Sequence, residues 1–396
     1  MKKQTAISIV VLLCISLSGC KGFLPTGNEI EAYDAIQIIG FDISEDDPTQ
    51  IEVTLASKVE KGSSEGGGSV TIKTVSESGP TAFEAQRKIR AKEEKITFLG
   101  YVDYVLIGET AAKTDFTKYF DYFVRDHETR QSPHVFIVKG CTAKEMIEKT
   151  SSKTLFISDR LSNIISSADI MGNTGNVRVI DVAGMLDNKD AATIIPAIKC
   201  GEAENQKRSG EMPEKVIVTA GFAIIKDFKL TGYIEGSGTL GYSFLVNKVS
   251  SCPISVQDYT GAYVGLEVIG SQTKAEARFN GDKLEGVTYK TSIRNTIPEQ
   301  QSRVQINTKY ALDDLDSKES EYVKTLMEKV IDTSKKYRTD CFGLGEKIRM
   351  QYPYKWEKIK DNWSEIYPDL AIDVDVEAEI KRSYDINLPN GYQEEK

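Results

Sequence analysis

The period of the apolar residues changes several times along the chain, and this switching restricts the fold more than any other feature. Ala35–Phe41 and Ile51–Leu55 are β-prone runs parted by a turn at Pro48, the pattern of a hairpin. Pro80–Glu84 then opens a helix, with Thr81 as a candidate N-cap and Glu84 three residues on, the spacing of a capping box. Phe83, Gln86, Ile89 and Arg90 continue at helical spacing. Tyr101–Ile107 returns to a β pattern. Phe116, Tyr119, Phe120 and Phe123 recur at i, i+3, i+4 and i+7, one aromatic stripe on a helix. His134–Val138 reads as another strand, and Thr142 with Glu145 repeats the capping-box spacing. Strands alternating with helices call for a sheet covered by helices, an α/β or α+β arrangement.

The second half resumes with Val216–Val218 and Phe222–Ile225. Strands are expected at 286–294 and 303–310, and a long amphipathic helix over Tyr322–Ile331. Trp356, Ile359, Trp363 and Ile366 share one face of a further helix. At the end, Ile372, Val374, Val376, Ala378 and Ile380 alternate with Asp373, Asp375, Glu377 and Glu379, a half-buried strand. The acids on that strand lie about 6–7 Å apart, too far to chelate one calcium ion. Gly62–Ser69 is a flexible loop; it lacks the Gly-Lys-Ser/Thr ending of a phosphate loop. The fold expected is α+β: two main mixed α/β domains, with largely antiparallel or mixed sheets flanked by helices, behind a lipoprotein signal peptide. The polar stretch 201–215 is the expected linker between domains at 32–200 and 216–390.

The N-terminus constrains location. Lys2 and Lys3 precede an apolar core from Ala6 to Ser16, too short to span a bilayer, which needs about 20 residues, but right for a secretory signal. Leu17-Ser18-Gly19-Cys20 resembles the bacterial lipobox, so residues 1–19 are an expected signal and 20–31 a lipidated tether. Cys20 is the expected lipidation site, carrying a diacylglycerol anchor with acyl chains such as palmitate. Two or more acyl chains hold a protein stably, where one is marginal.

The formal charge is −9, and losing Lys2 and Lys3 with the signal makes the remainder more acidic. Such a chain has no general attraction for phosphate backbones, so nucleic acid is not an expected partner. His127 and His134 are the two histidines, which leaves little for a histidine-ligated metal or a histidine triad. Of the six cysteines, Cys14 leaves with the signal and Cys20 is lipidated. Cys141, Cys200, Cys252 and Cys341 form no C-x-x-C pair. Buried unpaired thiols are the default, and sequence assigns no disulfide among them. No catalytic, cofactor or metal residue is expected.

Several further segments carry motifs that match the pattern of a known family. Val105–Glu109 ends a strand in Gly-Glu, and the aromatic helix leads to Arg125-Asp126-His127-Glu128-Thr129-Arg130. Gly221-Phe222-Ala223 through Lys229-Leu230-Thr231-Gly232 is similar to a family segment. Asp340-Cys341-Phe342-Gly343-Leu344-Gly345 is similar to its D-x-F-G-x-G turn. Tyr352-Pro353-Tyr354-Lys355-Trp356, Trp363 and the last strand with Arg382 are similar to its ending. Asp126 and Arg130 stand one residue closer than in the family pattern, and Ser383-Tyr384 replace a glycine after the arginine. Together these segments resemble the Ger(x)C family of bacterial spore germination lipoproteins, and the resemblance implies a non-catalytic, lipid-anchored subunit of a nutrient germinant receptor at the outer face of the inner spore membrane. Its implied partners are two integral membrane subunits, one with soluble domains and one permease-like.

The motif residues also have local readings. Arg125, Asp126 and Arg130 are a candidate partner-facing patch, against a helix end where Arg125 complements the dipole and pairs with Asp126. The local reading is favoured. Trp356 and Trp363 are candidates for a ligand cage, and core packing is the favoured role. Gly343 and Gly345 are expected to supply backbone conformations other residues cannot adopt. His127 is expected to be a solvated histidine near a helix end. A rival from another class is a solute-binding lipoprotein of an uptake system, which needs a cleft between similar α/β lobes; no matching lobes are read. An exported hydrolase would need a nucleophile motif, and no G-x-S-x-G is present.

Overall fold

The computed structural model describes residues 32–61, 69–126, 128–150, 156–202 and 215–383. The signal, Cys20, the tether, most of the glycine loop and His127 lie outside them.

Two mixed sheets organise these residues, and the fold is α+β. The first opens with an antiparallel meander of β1 (Tyr33–Ile43), β2 (Ile51–Lys61) and β3 (Ser69–Gly79). The short β4 (Ile96–Phe98) and β5 (Tyr104–Gly108) both run parallel to β1. Parallel β6 (His134–Lys139) and β7 (Thr193–Glu202) follow, then antiparallel β8 (Lys215–Lys226) and β9 (Lys229–Ile234). Glu202 of β7 stands opposite Lys215 of β8, so the sheet continues across the stretch expected as a linker.

Helices cover both faces of this sheet. On one lie α1 (Ala82–Lys92), α2 (Thr117–Arg125) and, further along the chain, Val179–Asp187, packed on Phe41, Val53, Val105 and Ile137. Thr81 Oγ accepts the Glu84 N–H at 3.1 Å and caps α1. The aromatic stripe belongs to α2 and its first flank: Phe116, Tyr119, Phe120 and Phe123 are all buried, and Phe123 meets Phe41 edge-on at 5.6 Å. The other face carries α3 (Ala143–Thr150) and α4 (Ile157–Met171), with Met146, Ile147 and Leu161 against Leu106, Phe136 and Ile198. The second capping box is complete. The Glu145 N–H donates to Thr142 Oγ at 3.0 Å, and the Thr142 N–H donates back to Glu145 Oε2 at 3.1 Å.

Besides the single turn Glu109–Ala112, the remaining helices, in order, are α5 (Val179–Asp187, introduced above), α6 (Gly238–Leu245), α7 (Lys309–Lys336), α8 (Leu344–Gln351), α9 (Pro353–Ile359) and α10 (Trp363–Asp369). The second sheet has the order β10 (Cys252–Gln257), β11 (Tyr263–Asn280), β12 (Lys283–Gln300), β13 (Ala371–Ser383), with β12 and β13 parallel. Its inner face packs on α7 through Val323, Met327 and Val330.

Two sequence expectations need correction. Residues 303–310 form no strand. Both sides of β12, the strand they follow, are already taken by β11 and β13, and Thr308 instead caps α7 by accepting the Ala311 N–H at 3.3 Å. The single helix expected over Trp356–Ile366 is two short helices, α9 and α10, parted by a 3-10 turn at Lys360–Asn362.

Candidate functional site

The family-like turn at Asp340–Gly345 sits where the two halves of the molecule meet. α7 ends at Lys336, and Arg338 turns with φ 51° to bring Asp340 inward. The Asp340 backbone joins the first half: the Ala192 N–H donates to its carbonyl at 2.8 Å. Its side chain, 2% exposed, turns the other way and holds the start of α8. Phe342 N–H donates to Oδ1 at 3.0 Å and Gly345 N–H to Oδ2 at 2.8 Å. Burial raises the carboxyl pKa, and the N–H donors of Leu344, Gly345 and Phe342 pull it back. Ser334 Oγ fixes the entry to the turn, donating to the Thr339 carbonyl at 2.6 Å and accepting the Cys341 N–H at 3.2 Å. The Tyr367 hydroxyl reaches the same oxygen at 2.5 Å.

The two glycines serve different ends. Gly343 has φ 62°, the left-handed conformation glycine tolerates without a Cβ penalty. Gly345 needs no special φ; a Cβ there would lie 2.7 Å from the Trp356 ring and 3.0 Å from Trp363 Nε1. The expectation that both supply unusual backbone conformations therefore holds for Gly343 only, and Gly345 is required by close packing. Trp356 and Trp363 are 2% and 1% exposed and meet edge-on at 5.2 Å. A cavity of about 470 Å³ adjoins the turn, lined by Asp340, Trp363 and Tyr367 on one side and Asp190, Thr193 and Phe228 on the other.

The Arg125 segment lies elsewhere, on the rim of a groove of about 700 Å³ between α1 and α2. Arg125 Nε donates to Asp121 at 2.8 Å, not to Asp126 as the sequence suggested, because the i, i+4 spacing puts Asp121 on the same helix face. Asp126 accepts the Glu128 N–H at 2.7 Å and closes the chain beyond the helix. Arg130 points to a separate cavity of about 350 Å³ with Tyr33, Arg90 and Glu128. The three residues do not converge. The groove floor includes Phe83, 49% exposed, with the Arg87 guanidinium 4.8 Å from its ring centroid. Burial pushes the Tyr122 phenol in this groove well above its ordinary range.

Sequence reasoning quoted Asp340 inside a motif but did not single it out; an aspartate opening a Gly-x-Gly turn ahead of a helix was the available signal. Ser334 and Tyr367 carry no local signal, because their partners are about 5 to 33 residues away. Among the described residues no cluster of three or more His, Cys, Asp or Glu side chains is placed to hold a metal ion.

Comparison with known proteins follows the same division. Residues 27–200 match the family model described as spore germination protein N-terminal domain, and residues 220–384 the one described as spore germination B3/GerAC like, C-terminal. Spore germination protein KC of Bacillus subtilis (strain 168) is 23% identical over 409 residues, covering 99% of each chain. Spore germination protein B3 of the same organism is 22% identical over 387 residues, covering 96% of this chain and 98% of its own. The crystal structure of the GerBC protein aligns with a TM-score of 0.55 at 20% identity, over 87% of this chain and 97% of that one.

Proposed function

Because the chain belongs to the family of spore germination proteins that these two models describe, we propose that it is a lipid-anchored, non-catalytic subunit of a membrane receptor through which spores respond to nutrients. The observation that carries this reading is the span of the match: both family models, in order, over nearly all of the chain behind a lipobox. Cys20 is the acylated residue, and the body rests at the outer face of the inner spore membrane beside two integral subunits, one of them permease-like. The tether raises the local concentration of the body near those subunits, so modest contacts suffice for assembly. The Asp340 turn suits a coupling role, since it binds the two halves into one body through buried hydrogen bonds.

The test is deletion of the gene. Spores should lose their fall in refractility on the matching nutrient while sporulating normally and answering nutrient-independent triggers. An unchanged nutrient response, in a strain lacking paralogous receptors, overturns the reading.

A further inference from the structure

Cys141 and Cys200 stand 59 positions apart in sequence, yet their sulfurs lie 3.7 Å apart. The register explains the approach. β6 and β7 run parallel with Lys139 beside Lys199; β6 ends there, while Cys200 continues β7 opposite Ile217 of β8. Gly140, at φ 81° with open space around its Cα, turns the chain so that Cys141 faces back toward β7. Cys200 Sγ also lies 3.8 Å from Met146 Sδ, and both thiols sit half-buried at the margin of the apolar layer under α3.

We infer that Cys141 and Cys200 are a disulfide-forming pair, closing when the folded chain meets a small disulfide such as oxidised glutathione. A disulfide bond is about 2 Å long, so side-chain rotation and a small local shift must bring the sulfurs closer by somewhat under 2 Å. Burial, with the neighbouring Cys200, pushes the Cys141 thiol up to about 12, so alkaline pH favours the exchange. One of the two thiolates attacks one sulfur of oxidised glutathione, forming a mixed disulfide and releasing one glutathione thiolate. The other thiol then gives its proton to solvent and displaces the second glutathione as the Sγ–Sγ bond forms. Two protein thiols are oxidised and one glutathione disulfide is reduced to two thiols. Cys252 and Cys341, 1% and 3% exposed, stay outside this chemistry.

The bond would staple a part of the sheet that carries other constraints. Cys141 leads directly into α3, whose first N–H groups hold the Asp42 carboxylate of β1: Ala143 N–H at 2.9 Å and Lys144 N–H at 3.0 Å. Closing the ring would fix the start of α3 against β1 and β7 together, and long loops lose the most unfolded-state freedom on closure.

The test uses the full chain, purified reduced, incubated with oxidised glutathione at pH 8 and alkylated before digestion. The expected result is one linked peptide pair joining 141 to 200 and a melting temperature higher by about 5 °C or more, with no shift in Cys200→Ser. Two separately glutathionylated residues, or two alkylated ones, would overturn the inference. Export is read separately by fractionation, so its failure and the failure of the pairing cannot be confused.

Discussion

In β5 of the first sheet all five residues are buried, whereas in β10 of the second burial alternates strictly along the strand. The cause is how many faces each sheet hides. The first has an apolar layer on both sides; the interior of the second is on the side of α7, and its outer face carries Asp373, Asp375, Glu377 and Glu379. The comparison also bears on how the two halves join. Sequence families separate at about residues 200–220, yet β8 and β9, from the second segment, complete the first sheet. What looks like two modules along the chain is joined through backbone hydrogen bonds in space.

Cutting the chain between 203 and 214 should break the comparison most severely. Each half expressed alone should lack a cooperative thermal transition, because β7 loses its cover and β8–β9 lose their sheet. Independent sharp melts by calorimetry would show that the family division is also a folding division.

Trp363→Ala comes next. Removing this ring from against Trp356 and Tyr367 should cost about 3–5 kcal/mol in denaturant unfolding. An unchanged midpoint would mean the packing around the Asp340 turn is dispensable.

Glu319 sharpens the contrast further, since α7 buries this carboxyl of its own against the one-faced sheet. Asn295 Nδ2 donates to Glu319 Oε2 at 2.6 Å, and burial followed by the Asp316 charge raises the Glu319 pKa to about 8. The folded state therefore keeps its proton where the unfolded chain, at about 4.3, has released it. Stability from this group is full in acid and falls as pH rises from about 4 to 8, by up to about 1.4 kcal/mol per unit. In Glu319→Gln that slope should flatten when unfolding is followed at pH 5, 6.5 and 8, while Asp42, raised to about 6, contributes equally to both proteins. Identical slopes would contradict the assignment.

The smallest effect is expected at Arg125→Ala. Its ion pair with Asp121 is exposed and screened by solvent, so the melting temperature should not change measurably. A measurable fall would show that the groove between α1 and α2 depends on it.

Legibility followed the same contrast. One-faced burial writes itself plainly, so the alternation from Ile372 to Ile380 located β13 directly. The capping box at Thr142 and the aromatic stripe of α2 were equally readable, because their partners lie within four residues. Residues 303–310 misled because β propensity cannot report that β12 has no open side. Arg125 chose Asp121 over Asp126 by helix geometry that nearest-neighbour reading missed. The Asp340 turn was visible as a motif, but its attachment to Ala192 depends on tertiary structure.

The role proposed in germination depends on a lipid tether at Cys20, and the most direct measurement replaces that residue. Spores carrying Cys20→Ala at wild-type protein level should show the protein lost from the membrane fraction and the nutrient-triggered fall in refractility abolished or strongly slowed. Normal germination with the variant protein released from the membrane would contradict the account.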